Sequence, residues 1–442
     1  MTAAHGGVNP AVSTAIMAEI DANVDRLISL TQALVNCRSD SQSQHNPEFE
    51  SEANRCQDIV AAWLDDLGFT VERWQQPPRY PVVAARLPGA GEGRSLAVNG
   101  HVDVVPGGDP RSWAHDPWAG EVVDGKLWGR GAADMKGGVA SALFAAWALR
   151  EAGVQLQGDL WLHIDADEEV VGRSLRELLA RVPPVDAAVV AEPTDLAVLP
   201  AEGGLVHLRI EIEGRESHAG NRYRTIHAGG HGATAGVNAI EKGMRIAAAL
   251  QDLERQWGNL RSHPLLPPGF NSIMLGMIAG GPGGGEDGQL RTIANPGTCP
   301  DYCSLEYNIW FLPGETLEEI QQEIEGYVTD VCRLDPWLRE HPPRFTWKLR
   351  NIYFPPAETP IDHPFVEAIS QGLTSAGVPV RIEAFQAASE LAWYAERGIP
   401  GVIFGPGRIA QAHSANEYVE VQQLVTAAKV MALTAAEWCG AR

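Results

Sequence analysis

Positive charge is scarce in this chain. Its 442 residues hold 34 Lys and Arg against 56 Asp and Glu, a formal net charge of -22. No basic field exists to neutralise the phosphates of a nucleic acid, so nucleic acid is not expected as a partner. Cysteine is sparse too. Cys37, Cys56, Cys299, Cys303, Cys332 and Cys439 are scattered, and only Cys299 and Cys303 sit close. No second close pair completes a structural zinc set, and free thiols in a reducing compartment are expected. Long apolar runs are missing. The longest helical one, Val139 to Leu149, is too short for a bilayer, so no membrane partner is expected. The opening MTAAHGGVNP has neither a basic start nor an apolar core, which reads as no signal peptide and a cytoplasmic location. There is no Gly-x-Ser-x-Gly elbow, which argues against a serine hydrolase. The Gly-rich stretch GGPGGGEDG (Gly280 to Gly288) lacks the Lys-Ser/Thr of a phosphate loop and reads as a loop interrupting a sheet.

What is present is the composition of a globular protein, 45% hydrophobic and 20% charged, with a length suited to two domains. Apolar residues recur at helical spacing from Ile16 to Val35 and from Ile59 to Leu67. Strand-like SLAVNGH, helix-like GGVASALFAAWALREAG, then GDLWLHID, RSLRELLARV and DAAVVAEP alternate along the chain. That alternation predicts an α/β fold, a mostly parallel sheet with helices on both faces. From Leu205 the rhythm changes. LVHLRIEIEG, NSIMLGMIAGG, YCSLEYNIWFLPGET and RFTWKLRNIYF surround two helical stretches, about Val237 to Trp257 and one ending near Cys332. They predict an inserted α+β domain with an antiparallel sheet and two helices. After Pro360 a helix (Phe365 to Ser375), the strand PGVIFGPG and a last helix (Val421 to Trp438) restore the first pattern. The expected organisation is residues 1–204 and 357–442 as one domain, with 205–356 inserted.

In such sheets ligands bind at the carboxyl ends of strands, and the candidate chemistry collects there. His101 and Asp103 follow SLAVNG, Asp134 lies in GRGAADMKGG before a helix, Glu168 and Glu169 follow LWLHID, Glu192 follows DAAVV, and His413 lies in AHSANEY. Any one acid at such a place is usually a helix cap or a solvated loop residue. Their recurrence at one edge is what calls for a cation. Two imidazoles with several carboxylates suit zinc or a similar divalent ion, and a shared carboxylate allows two ions close together. Adjacent residues of a regular strand point to opposite faces. Glu168 and Glu169 can therefore both reach one site only past the strand's end, one as ligand and one as general base. His227 and His231, four apart in HAGGHG, are too glycine-rich for a rigid helical metal face.

The motifs NGHVDVVP, WGRGAADMKGG, DADEEVVG, AEPT, SHAG and GPGRIAQAHSANEYV, in this order, resemble a known family over nearly the whole chain. It comprises the dinuclear zinc amidohydrolases that include acetylornithine deacetylase, succinyl-diaminopimelate desuccinylase, aminoacylase and glutamate carboxypeptidase. The resemblance implies that His101 and Glu192 bind one metal, Glu169 and His413 the other, and that Asp134 bridges. It makes Asp103 the carboxylate orienting His101, and Glu168 the base acting on a hydroxide bridging two divalent ions. Zinc is the first expectation, cobalt or manganese the others. It makes the inserted domain a lid that dimerises, with His218 of SHAG reaching the active site of a second copy to polarise the scissile carbonyl.

Two departures bear on substrate. Family members acting on amino acids carry an Arg in an IR-x-PG segment, and here YNIWFLPGE places Trp310 there. An Arg fork holds a carboxylate through two parallel bonds, which a Trp cannot. Where many members read TDA, this chain reads ASELAWY, with Ser389 and Glu390. Both changes resemble the formylaminopyrimidine deformylase branch more than the acylamino-acid enzymes. Substrate-binding candidates are Trp310, Arg222, Arg224 and Asn295, and the expected substrate is a small N-acyl amine. Acylamino-acid deacylase, carboxypeptidase or dipeptidase, hydrolytic deaminase and non-catalytic binder remain as alternatives, with the free base Glu168 arguing against the last.

Overall fold

The structure, a computed structural model, describes residues 8–41, 48–76, 79–170, 172–222, 235–292 and 295–441. The chain divides into two compact units, Met1–Glu202 with Ala357–Arg442, and Gly203–Pro356.

The first unit is built on a nine-stranded sheet. Its order is Thr70–Gln76, Tyr80–Leu87, Leu160–Asp165, Leu96–His101, Ala187–Val190, Gly401–Ile403, Val198–Glu202 and Ala357–Glu358, with Ile382–Phe385 also pairing to Val198–Glu202. Parallel pairing runs through the four central strands, from Leu160–Asp165 to Gly401–Ile403. The pairings that bring in Thr70–Gln76, Tyr80–Leu87, Val198–Glu202 and Ala357–Glu358 are antiparallel. The sheet is therefore mixed, parallel at its centre. The centre is also its driest part: every residue of Leu96–His101 and Leu160–Asp165 is buried, as the near-continuous apolar runs of a doubly covered parallel strand require.

The helix Lys136–Glu151 is buried all round from Lys136 to Leu149, so it lies in the core. It ends where Gly153 takes φ +67, a left-handed turn that a side chain resists. The helix Val421–Cys439 packs along it. The apolar stretch from Ile16 to Val35 is not one helix but two, Pro10–Ala22 and Val24–Val35. Asn23 interrupts it, its side-chain amide donating to the Glu19 carbonyl and so competing for the helical acceptor.

The second unit is an antiparallel sheet, Ser272–Gly281, Tyr302–Phe311, Gly204–Glu213 and Arg344–Trp347, with Tyr353–Phe354 also on Gly204–Glu213. Strand alternation puts Val206, Leu208, Ile210 and Ile212 into a core with Ile246, Leu250 and Trp257 of the helix Ala239–Leu260 and Ile320, Ile324 and Val328 of Leu317–Arg333. Thr316 and Glu319 close a capping box at the start of the latter. The stretch RFTWKLRNIYF is not continuous strand. Lys348, Arg350 and Asn351 take φ of +54, +56 and +63, and a 3-10 turn at Leu349–Asn351 parts its two short strands.

Candidate metal centre

The four central strands are parallel, so their carboxyl ends share one edge of the sheet. His101 ends its strand, Asp165 ends the next, and Glu192 follows Val190 by two residues. His413 comes from the loop after Gly401–Ile403, at φ +56, a conformation uncommon outside glycine. Asp134 lies just before the helix Lys136–Glu151.

These side chains converge in two groups. His101, Asp134 and Glu192 present ligand atoms within 4.8 Å of one another, and so do Asp134, Glu169 and His413. Asp134 belongs to both: its Oδ1 lies 3.4 Å from His101 Nε2, and its Oδ2 3.3 Å from His413 Nε2. Glu192 Oε1 is 3.6 Å from His101 Nε2, and Glu169 Oε2 is 3.1 Å from His413 Nε2. Glu168 stands beside them, its Oε2 3.9 Å from His101 Nε2.

The tautomer of His101 follows from its other nitrogen. Nδ1 lies 2.9 Å from the backbone carbonyl of Asp103, which can only accept, so Nδ1 carries a proton and Nε2 is the nitrogen left to face a metal. That Nε2 is buried and makes no hydrogen bond. The Asp103 carboxylate faces the same nitrogen, its Oδ1 3.5 Å from Nδ1, and is first among the groups that raise His101. Its Oδ2 accepts from the Glu169 N–H at 3.2 Å.

Electrostatics make the same demand. Burial, then the Asp134 charge, push Glu192 up to about 8. Burial also pushes Glu168 well up, with Glu192, Glu169 and Glu390 adding to it. Asp134 and Glu169 raise His413 to about 10. Burial would lower His101, yet Asp103, Asp134 and Glu192 hold it well above its ordinary value. So many buried carboxylates need positive charge among them: without a metal the raised imidazoles supply it as protons, and a divalent ion at the same place would displace the proton from the buried His101 Nε2. The donor set of nitrogen and carboxylate oxygen fits two divalent ions.

The remaining acids of DADEE serve the frame. Asp167 accepts from the Arg173 and Ser174 N–H groups at 3.1 and 2.8 Å and so caps the helix Arg173–Arg181. Asp165 and Glu390 are fully buried and face one another, each pushed up first by burial. Ser389 donates to Glu202 at 2.6 Å. Ser389 and Glu390 therefore form part of a buried polar network, a role the motif reading did not give them. That reading also overlooked Arg130 and Glu417, which lie inside the quoted motifs and join in a buried ion pair.

His218, Arg222, Asn295 and Trp310 all belong to the second unit. His218 and Arg222 line one recess of about 670 Å³ with Arg215, Glu241 and Trp337. His218 Nδ1 accepts from the Gly220 N–H at 3.1 Å, which fixes the ring. Arg222 is paired with Glu241 at 2.6 Å. The Asn295 side chain accepts from Gly297 N–H in a turn. Trp310 is half-buried and meets Phe270 edge-on, ring centres 5.4 Å apart. Arg224, His227 and His231 lie outside the described residues.

Peptidase family M20/M25/M40 matches residues 97–437. The chain is similar to the N-formyl-4-amino-5-aminomethyl-2-methylpyrimidine deformylase of Bacillus subtilis (strain 168), 35% identical over 432 residues, 95% of this chain and 96% of that one. The enzyme of the same name from Halalkalibacterium halodurans is 34% identical over 439 residues, 97% of each chain. Among solved structures, a dinuclear metal-binding peptidase of the M20 family from Bacillus subtilis superposes with a TM-score of 0.64, covering 94% of this chain and 98% of its own. Its 17% identity bears on the fold alone.

Proposed function

The chain belongs to peptidase family M20/M25/M40 and is a metal-dependent hydrolase of a linear, non-peptide amide; we propose that its substrate is an N-formyl or small N-acyl derivative of a heteroaromatic amine. The observation that carries the catalytic reading is the division of Asp134, one oxygen toward His101 and the other toward His413. His101, Glu192 and Asp134 would hold one divalent ion, and Asp134, Glu169 and His413 the other. We take zinc as the native metal on its taste for imidazole and carboxylate, with cobalt and manganese as competitors. Two such ions, when bound, polarise an amide carbonyl and acidify a water molecule.

The chain's own groups do the rest. Glu168, adjacent to the ligands yet in neither group of three, takes the proton of the attacking water and returns it to the leaving nitrogen. Asp103 fixes His101 through its backbone carbonyl and meets Glu169 through its carboxylate. His218 donates to the oxyanion in the site of a second copy. Dimerisation through the second unit is supported by the edge strand Ser272–Gly281, which exposes Met274, Met277 and Ile278. All six cysteines are free thiols, which supports a reducing, cytoplasmic location. No helix among the described residues is long and apolar enough to cross a membrane.

Substrate choice rests on Trp310. Its half-exposed indole offers a flat surface on which an aromatic group gains about 0.5–1.5 kcal/mol beyond area burial. A carboxylate placed there would be desolvated without a partner. The pyrimidine of the relatives' named substrate has the first property and lacks the second. The test is a hydrolysis screen with metal-replete enzyme, using the formylated aminomethylpyrimidine, N-acetyl and N-succinyl amines, acylamino acids and dipeptides. Matched pairs with and without an α-carboxylate belong in the same screen. The expected result is highest kcat/KM on the formylated heteroaromatic amine. A higher value for carboxylate-bearing members would return the protein to the acylamino-acid enzymes.

A further inference from the structure

Three segments carry His101, Asp134 and His413 of the ligand candidates, mostly as loop, and loops are the least self-sufficient parts of a fold. Residues 101–106 carry His101 and Asp103, residues 129–135 carry Asp134, and residues 404–417 carry His413. One buried pair touches all three. Glu417 is 0% exposed and Arg130 3%. Glu417 Oε1 accepts two backbone N–H groups, of Ala133 at 2.9 Å and of Asp134 itself at 3.1 Å. Its Oε2 accepts from Arg130 Nη1 at 2.5 Å. The Glu417 carbonyl accepts from the Gly129 N–H at 3.0 Å. Arg130 Nη2 reaches the Pro106 carbonyl at 3.4 Å, and the guanidinium lies over Trp113, 5.3 Å from the ring centre.

A buried ion pair is a poor device for stability, since a well-packed apolar pair of similar volume often does as well. An apolar side chain, however, could not accept the N–H of Asp134. Asp134 has little tolerance, because its two oxygens face different histidines at nearly equal distances, and a shift of its backbone would spoil both. We infer that Glu417 and Arg130 are positioning residues that hold Asp134 between His101 and His413, so that both ion positions are formed together. This inference rests on the two-ion reading of the site, and it assigns to a pair 287 residues apart in sequence a task that neither can perform alone.

Glu417→Gln is the informative change. If the amide oxygen keeps the Ala133 and Asp134 N–H groups, its NH2 faces the guanidinium, donor to donor; if it turns over, the NH2 faces the two backbone N–H groups. The measurement is a Co2+ titration of the metal-free protein, read by absorption spectrum and calorimetry, with the melting curve of the metal-free protein recorded alongside. Glu417→Gln should fold, bind Co2+ about 10–100-fold more weakly at both positions, and show an altered spectrum. Arg130→Lys, which keeps the charge but loses the fork, should fall between it and the unaltered protein, and it decides the matter where Glu417 variants fail to fold. Leu433→Ala, in the core of the last helix, should lower the melting temperature and leave the Co2+ isotherm unchanged. An unaltered Co2+ isotherm and spectrum in folded Glu417→Gln or Arg130→Lys would overturn the positioning role. Two-step Co2+ binding in the unaltered protein keeps that failure distinct from a failure of the two-ion reading itself.

Discussion

Glu168 and Glu169 are neighbours in the chain and part company in the fold. Glu169 Oε2 lies 3.1 Å from His413 Nε2, in one group of candidate ligands, whereas Glu168 Oε2 lies 3.9 Å from His101 Nε2 and belongs to neither group. Both follow the end of Leu160–Asp165, where strand alternation no longer governs direction. The proposed function gives these two chemically equal side chains different work. Glu168→Gln is expected to keep its metal content and lose at least about a hundredfold in kcat, the lower end of general-base contributions. Glu169→Gln is expected instead to lose metal affinity. Near-normal turnover by Glu168→Gln with metals in place would mean that the base lies elsewhere.

Removal of the metal should make stability depend on pH in a definite direction. In the metal-free protein burial and Asp134 hold Glu192 at about 8, against an ordinary 4.5, and Asp134 and Glu169 hold His413 at about 10, against 6.5. Both folded values exceed the unfolded ones, so the folded state binds these protons more tightly. The stability this contributes is complete below the unfolded values and is lost as pH rises, for Glu192 between 4.5 and about 8, for His413 between 6.5 and about 10. Asp134 is shifted downward, with the opposite sign, but its window lies below 3.8. The melting temperature of chelated protein should therefore fall from about pH 5 to about pH 9, and added Zn2+ should flatten the decline. A chelated protein whose melting temperature rises over that range would contradict the electrostatic description of the cluster.

Subunit mixing tests His218. His218→Ala and Glu168→Gln homodimers should each be nearly inactive. Mixed dimers should recover one working site, in which an intact Glu168 meets the intact His218 of the other copy. Absence of recovery after verified subunit exchange would place His218 in its own chain's site or outside catalysis.

Much of the fold was legible where the pattern is local and strong. LWLHID and DAAVV read as buried strands because their apolar runs are short and nearly unbroken, and the first is strand throughout, the second from Ala187 to Val190. The candidate ligands were legible because each stands in a short motif at a strand end or helix start. Other elements carry no such signal. The strands Glu121–Val123, Lys126–Trp128 and Tyr418–Glu420 form a sheet of their own but are three residues each, too short for any periodicity. The hairpin of Thr70–Gln76 and Tyr80–Leu87 carries no clear alternation of apolar and polar residues either. Glu417 stands in GPGRIAQAHSANEYV and Arg130 in WGRGAADMKGG, but their pairing joins distant segments and no local pattern reveals it. Ser389 and Glu390 were legible as a departure from a motif and not as a buried network, since burial depends on the elements packed around them.

The most direct test of the catalytic proposal is a metal titration of chelated, folded protein during hydrolysis of the formylated aminomethylpyrimidine, with bound Zn2+ counted in parallel. Activity is expected to climb until two ions are bound per chain and to stay level thereafter. Full activity at one bound ion, with no further change at the second, would contradict a centre in which Asp134 serves two metals at once.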